Sequence, residues 1–554
     1  MTAETHPDVL IIGAGPTGAV AARRLAQAGI RVVVLEQGDW PDESKARAGH
    51  SDYEVRIDRD WGPNPNYRKA PADYPIVDTD SDISAALYNA VGGSSVIYAA
   101  QWQRNMPSDF RVRSLDGIAD DWPLSYQDLE PYYEQVEADF GISGLGGDPA
   151  FPAGKGPPLP PYPLSPVGRK VAKAHNQLGW HWWPASNAIA TRPYRALNQC
   201  TQRATCMWGC VDGAKGSVDK THWPDNVARG VTLITGARVR KLAMNTAGLV
   251  TGAHYVDRQG KEHFQSADVT ILGANGIGTP RLLLLSKNDQ HPDGLANSSG
   301  LVGKRLMMHP YGTVVGLFEE DLGTTHGLWG QQLHSLEFYE TDTRRGFVRG
   351  AKWGLLPTGG PVRMTSTYPW GKENEIWGED FHDGIRKRLG RSVMWGITAE
   401  DLPNERNRVE LDSSSQDSDG IPAPKITYRR SENSTRMLDF HLAKAQQSLQ
   451  AAGAYETIIA PTIRETGWHL LGTCKMGSNP ESSVVDPWGR THDIPNLYIF
   501  DGSIWPTSSG MNPTATIAAL ALRCTDHLTK QRTNQRVPNQ RVPNQRVPNQ
   551  RVPD

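Results

Sequence analysis

Residues 8–39 read DVLIIGAGPTGAVAARRLAQAGIRVVVLEQGD. The apolar run Val9 to Ile12 breaks into glycines and then into an Ala/Leu-rich stretch, and a second apolar run, Val32 to Leu35, follows Gly29. This order is strand, turn, helix, strand, a βαβ unit at the start of the chain. Gly13, Gly15 and Gly18 form GxGxxG between the strand and the helix, and Glu36 closes the second strand. Each residue type has a physical task. Gly13 permits the tight turn, Gly15 lets a pyrophosphate approach the backbone, and Gly18 lets helix and strand pack closely. The helix N-terminus then faces the phosphates, and Glu36 can accept hydrogen bonds from ribose hydroxyls. The alternative, a βα turn with no ligand, explains the acid less well.

Outward from this unit, a second fingerprint is missing. Gly273, Gly276 and Gly278 in GANGIG have the wrong order. One dinucleotide is therefore expected, and an N-terminal site in a long chain favours FAD over NAD. Residues 47–87 are polar and Pro-rich, and 152–166 are Pro-dense, as expected of loops and a crossing between domains. Strand-like runs return over 231–286. From 313 to 464 the texture changes, with Trp353, Trp370 and Trp395 set among polar residues. NQRVP then recurs to Asp554. A polar repeat with Pro in every unit can neither continue a helix nor build a core, so 531–554 is expected to be disordered.

Composition narrows the function classes. The chain has 554 residues with 58 basic and 60 acidic side chains, which argues against a nucleic-acid partner. No apolar stretch approaches a membrane span, and the first residues lack the basic flank of an export signal, so no membrane partner and a cytoplasmic location are expected. Five cysteines are too few for a disulfide scaffold. The spacing Cys200-x5-Cys206-x3-Cys210 lacks the CxxC pairs usual in structural zinc sites, so no metal is expected; a disulfide or packed thiols fits better.

Four further segments carry a resemblance: GGSS at 92–95, ADVTILGANGIGTPRLLLLS at 267–286, GWHLLGTCKMG at 467–477 and NLYIFDGSIWPTSSGMNPTATIAALAL at 496–522. GLVGKRLMMHP at 300–310 and LPNERNRVELD at 402–412 agree with them. With the N-terminal fingerprint, the chain resembles the glucose-methanol-choline (GMC) oxidoreductases. The resemblance implies an α/β fold. A Rossmann-like FAD-binding domain would be assembled from 1–115, 200–312 and 465–530, and an α+β substrate domain with an antiparallel sheet from 116–199 and 313–464.

The resemblance also implies the site. His469 stands where the family has its active-site histidine, and Asn512 where it has a second His or Asn. Oxidising an alcohol needs a base for the hydroxyl proton, and an imidazole titrating near neutrality suits that work. Asn512 would orient the substrate oxygen. The residues expected to hold FAD are Gly13, Gly15, Thr17, Gly18, Glu36, Gly93, Ser94, Ser95, Val239, Ala274, Asp501, Asn512, Pro513 and Thr514. Asp501 has a second reading, as an acid capping the turn after its strand. Ile97 stands about where some family members attach FAD through a histidine, so non-covalent FAD is expected. The cysteine segment is similar to that of gluconate- and sorbitol-type dehydrogenases and glycoside oxidases, and the chain as a whole looks most like the pyranose-oxidase-like and C-glycoside 3-oxidases. The 17 Trp suggest carbohydrate, with Trp353, Trp370 and Trp395 as substrate contacts. The expected reaction is oxidation of a sugar or glycoside ring hydroxyl at C2 or C3, with O₂ as acceptor giving H₂O₂. The alternative is a sugar or polyol dehydrogenase passing electrons to a quinone or cytochrome.

Overall fold

A computed structural model describes residues 6–42, 54, 73–328 and 330–536. The N-terminal unit folds as read. Val9–Ile12 and Val32–Leu35 pair in parallel, joined by the helix Pro16–Gln27. Pro16 opens that helix, where its missing N–H costs nothing, and Gly29 at φ +71° lets the chain turn back. Both strands are β-branched or leucine throughout and are buried at every position, as parallel strands covered on two faces require. The sheet is completed from far along the chain. Its order is Leu497–Ile499, Val269–Leu272, Val9–Ile12, Val32–Leu35 and Thr232–Ile234, all parallel.

A six-stranded antiparallel sheet lies beyond it, in the order Glu456–Ala460, Tyr311–Leu317, Ser392–Ala399, Ala351–Pro357, Leu333–Ser335 and Trp183–Pro184. The helix Glu432–Ala451 packs on its central strands. Strand parity divides the side chains. Ala351, Trp353 and Leu355, with Val393, Trp395 and Ile397, join Val314, Leu438 and Leu442 in one core under the helix. Lys352, Leu356 and Thr398, one residue out of step, are on the opposite face, where the main cavity lies.

Two features differ from the sequence expectation. Tyr126–Phe140, expected with the substrate domain, packs instead on the terminal helix Thr514–Arg536, which also packs on Pro16–Gln27. Disorder was expected from residue 531, yet that helix continues to Arg536. Arg532 ties it down, donating to Asp268 at 2.8 Å and to the Asp8 carbonyl at 3.2 Å. The remainder of the NQRVP repeat lies outside the described residues. Among the described residues, no helix is long and apolar enough to cross a membrane.

Candidate active site

One long cavity runs from the glycine turn to the antiparallel sheet. At its first end, bare backbone meets bare backbone. Gly13 has φ +103°, and a Cβ there would lie 2.5 Å from the Gly273 carbonyl oxygen. A Cβ on Gly18 would meet the Gly13 oxygen at 2.0 Å, and one on Gly93 would meet the Gly15 Cα at 2.9 Å. Side chains are thus excluded at Gly13 and Gly93, which line the cavity with Gly15, while Gly18 sits behind them at the helix–strand contact. Glu36 accepts from the Ala14 and Gly38 amides at 2.8 Å each. Burial pushes its carboxyl up to about 6 against those bonds, and it still faces the cavity.

Thr17, Ser94, Ser95, Val239, Ala274, Asp501, Pro513 and Thr514 also line this space. Asp501 accepts from the Ser503 amide at 2.9 Å, capping the turn, and it also borders the cavity. Ile97 borders it too and carries no nucleophile. The glycine cradle and the acid at the second strand fit a dinucleotide, which Gly13, Gly15, Gly93 and Glu36 would hold.

At that far end four side chains from four separate segments form a chain of hydrogen bonds. His309 Nε2 lies 3.2 Å from the Ser508 carbonyl oxygen, and His309 Nδ1 lies 2.7 Å from His469 Nδ1. His469 Nε2 is 3.4 Å from Asn512 Nδ2, and Asn512 Oδ1 accepts from Lys352 Nζ at 2.5 Å. The two ends decide every proton between them. A carbonyl only accepts, so neutral His309 carries its hydrogen on Nε2 and its Nδ1 accepts. His469 Nδ1 is then the donor. In its ammonium form, held up to about pH 7, Lys352 only donates, so Asn512 turns its oxygen to Lys352 and its amide nitrogen to His469. The result is a neutral His469 with a lone pair on Nε2, aimed into the cavity.

Electrostatics keep it neutral. Burial, then His309 and the positive charge of Lys352, hold His469 well below the usual histidine range, and burial takes His309 down to about 4. Burial likewise takes Lys352 down to about 7.

Trp353, Trp370 and Trp395 are not at this site. Each is 1% exposed or less, and none lines the cavity. Trp353 donates to His441 Nδ1 and Trp395 to Ser448 Oγ under the helix, while Trp370 lies beneath the Arg388 guanidinium at 4.2 Å. For Trp353 and Trp395 the cause is strand parity, which gives the cavity to their neighbours. The aromatic walls are instead Trp468, Tyr311 and Tyr368. Sequence reasoning passed over His309, although it stands in the quoted segment GLVGKRLMMHP, and it gave no role to Lys352 or Gln101.

All five cysteines are free thiols, so Cys200 and Cys210 form no disulfide. Asp148 holds His181 and His334 at 2.9 Å each. The Leu336 amide donates to His181 Nδ1 at 3.0 Å, so neutral His181 is protonated on Nε2. Both histidines thus meet Asp148 through Nε2, while His334 Nδ1 is buried with no hydrogen-bond partner.

A parallel sheet with a dinucleotide cradle, opening onto an imidazole–amide pair beneath an antiparallel sheet, defines a flavin-type alcohol oxidoreductase. The chain matches the GMC oxidoreductase models over residues 8–311 and 403–521, and it belongs to that family. The cofactor is FAD, and the enzyme acts on CH–OH groups. It is 40% identical to the 2-methyl-1,2-propanediol dehydrogenase of Mycolicibacterium austroafricanum, over 96% of each chain. It is 30% identical to the fructose dehydrogenase large subunit of Gluconobacter japonicus, over 94% of this chain and 97% of that one. It is 31% identical to the 6'''-hydroxyparomomycin C oxidase of Streptomyces lividus, over 94% and 91% respectively. The solved pyridoxine 4-oxidase from Mesorbium loti shares the fold, with TM-score 0.66 and 20% identity over 94% of this chain and 99% of that one.

Proposed function

We propose that this chain is an FAD-dependent dehydrogenase of small polyols, vicinal diols and sugars, with His469 as the base. The hydrogen-bond chain from Ser508 to Lys352 carries this reading, because it leaves one lone pair, on His469 Nε2, facing the cavity. A substrate hydroxyl placed between His469 and Asn512 gives its proton to Nε2 while its oxygen accepts from Asn512 Nδ2. His309 steadies the imidazole as it becomes positive, since its Nδ1 accepts from the opposite side of the ring. FAD supplies the acceptor for the hydride that leaves the carbinol carbon. Trp468, Tyr311, Tyr368 and Leu356 form an apolar wall around the reacting position, with Gln101 and Thr398 as the polar contacts. That mixture suits a short carbon chain bearing neighbouring hydroxyls.

Likeness to a diol dehydrogenase at 40% identity supports the dehydrogenase reading over the oxidase. The second reading, a glycoside oxidase producing a C2 or C3 ketone and H₂O₂, is supported by likeness to an aminoglycoside oxidase at 31%. The experiment is anaerobic: 2-methyl-1,2-propanediol, D-fructose and a panel of pyranosides are added to the holoenzyme while the flavin band is followed. Bleaching by the diol or fructose, followed by slow recovery in O₂ and fast recovery with a quinone, supports the first reading. Bleaching by pyranosides with fast recovery in O₂ supports the second. No bleaching by any alcohol rejects both.

A further inference from the structure

Lys352 has no task as base or as hydride acceptor, yet its ammonium is sealed inside the protein behind Asn512. It is 1% exposed. Its Nζ has three N–H donors and four amide oxygens within reach, Asn512 Oδ1 at 2.5 Å, Gln101 Oε1 at 2.7 Å, Gln331 Oε1 at 3.3 Å and Gln103 Oε1 at 3.5 Å. Among the described residues no carboxylate pairs with it. A buried cation satisfied only by amide oxygens destabilises the fold relative to an apolar side chain of similar length. Packing therefore gives no reason for a lysine here.

The chemistry of the neighbouring amide does. Asn512 can sit in two orientations that differ by exchange of its oxygen and nitrogen. With its nitrogen toward His469, Nε2 must be a lone pair. With its oxygen there, Nε2 is drawn toward the protonated form and the base is lost. An ammonium, which has donors only, admits just the first orientation. We propose that Lys352 is a positioning residue that selects the base form of His469 by holding the Asn512 amide in one orientation. Its charge acts in the same sense, opposing a proton on His469; the titratable groups that feel it are His309, His334 and His469.

The inference rests on His469 being the base, and the test separates the two. FAD-loaded wild type, Lys352→Met, Gln331→Glu and His469→Ala are compared. The readouts are the pH dependence of anaerobic flavin reduction by 2-methyl-1,2-propanediol and D-fructose, and ¹⁵N-histidine NMR of the holoenzyme titrated over the same range. In Lys352→Met reduction should fall about tenfold or more, the acid limb should rise by about one pH unit, and the His469 Nε2 signal should move toward the protonated position. Gln331→Glu places a carboxylate beside Nζ at the cost of no hydrogen bond, because Gln331 Nε2 has no partner. It should raise the His469 titration in the same direction while the ammonium still holds Asn512.

A Lys352→Met protein with the wild-type His469 signal and titration overturns the proposal. Should that variant fail to fold, Lys352→Gln, whose amide can donate or accept, takes its place, and a wild-type His469 signal and titration there overturns the proposal equally. If neither alcohol bleaches the flavin, the NMR titration decides alone. His469→Ala reducing at the wild-type rate would reject the base while leaving the tautomer question to the spectra.

Discussion

His309 and His469 face each other Nδ1 to Nδ1 at 2.7 Å, with rings inclined at 75°. Because His309 is tied by Nε2 to the Ser508 carbonyl, the pair has one neutral arrangement, in which His469 donates from Nδ1 and keeps a lone pair on Nε2, facing the Asn512 amide N–H at 3.4 Å. His469→Ala should therefore slow anaerobic flavin reduction by about 10²- to 10⁴-fold, with FAD still bound. His309→Ala leaves the His469 N–H without its acceptor, and a smaller loss, about tenfold, is expected. Stopped-flow absorbance checks both, and near-normal reduction in His469→Ala would count against the base.

The pH dependence has a definite sign. Only neutral His469 can take a proton, and its folded value lies below the ordinary 6.5. Flavin reduction should hold its plateau as pH falls through 6.5 and decline only at more acid values. A rate profile with its acid limb at 6.5 or above contradicts the electrostatics of the site.

Stability has an acid-sensitive contributor away from the site. His441 is fully buried, accepts from Trp353 Nε1 at 2.9 Å, and is held down at about 3 by burial. Between 6.5 and that value the unfolded chain binds the extra proton, so stability is present above the unfolded value and is lost as pH falls. His441→Leu gives up the Trp353 hydrogen bond at every pH but removes this slope. Relative to wild type it should gain roughly 1 kcal/mol per pH unit between pH 6 and 4. Chemical unfolding at three pH values measures it; parallel slopes in the two proteins would discount His441.

Gly18→Ala should prevent the nucleotide cradle from closing. The added Cβ would lie 2.0 Å from the Gly13 carbonyl oxygen, and backbone cannot yield as a side-chain tip can. Loss of FAD and a lower unfolding temperature are expected. A holoprotein with full flavin content would refute the steric argument.

With Ile97 bordering the cavity where a histidine could have formed a bond, acid precipitation should leave the flavin in the supernatant. Yellow colour remaining with the denatured polypeptide would show a covalent link formed elsewhere.

Much of the site was legible before any coordinates. The turn at Gly13, the helix start at Pro16 and the buried strands on either side are local matters, decided by φ, by a missing N–H and by apolar runs a few residues long. His469 and Asn512 stand out in the sequence because each sits in an extended motif. The terminal helix runs past the point where composition predicts disorder, because Arg532 is anchored by Asp8 and Asp268, both far away in sequence.

Trp353 and Lys352 mark the boundary of such reading. They are adjacent in one strand, and alternation says only that they point opposite ways. Which face is covered by Glu432–Ala451 and which looks onto the flavin cavity depends on helices and strands distant in sequence, so carbohydrate-like chemistry was assigned to the tryptophan while the lysine went unread. His309 likewise gains its meaning only when Ser508 and His469, 160 residues or more away, close on its two nitrogens. The sequence alone determined the dinucleotide turn and the family's alcohol chemistry and singled out the histidine proposed as the base, because those reside in short contiguous motifs. The tertiary structure decided which nitrogen carries the proton, which aromatics line the cavity and where the buried charge lies, because each depends on segments distant in sequence coming together.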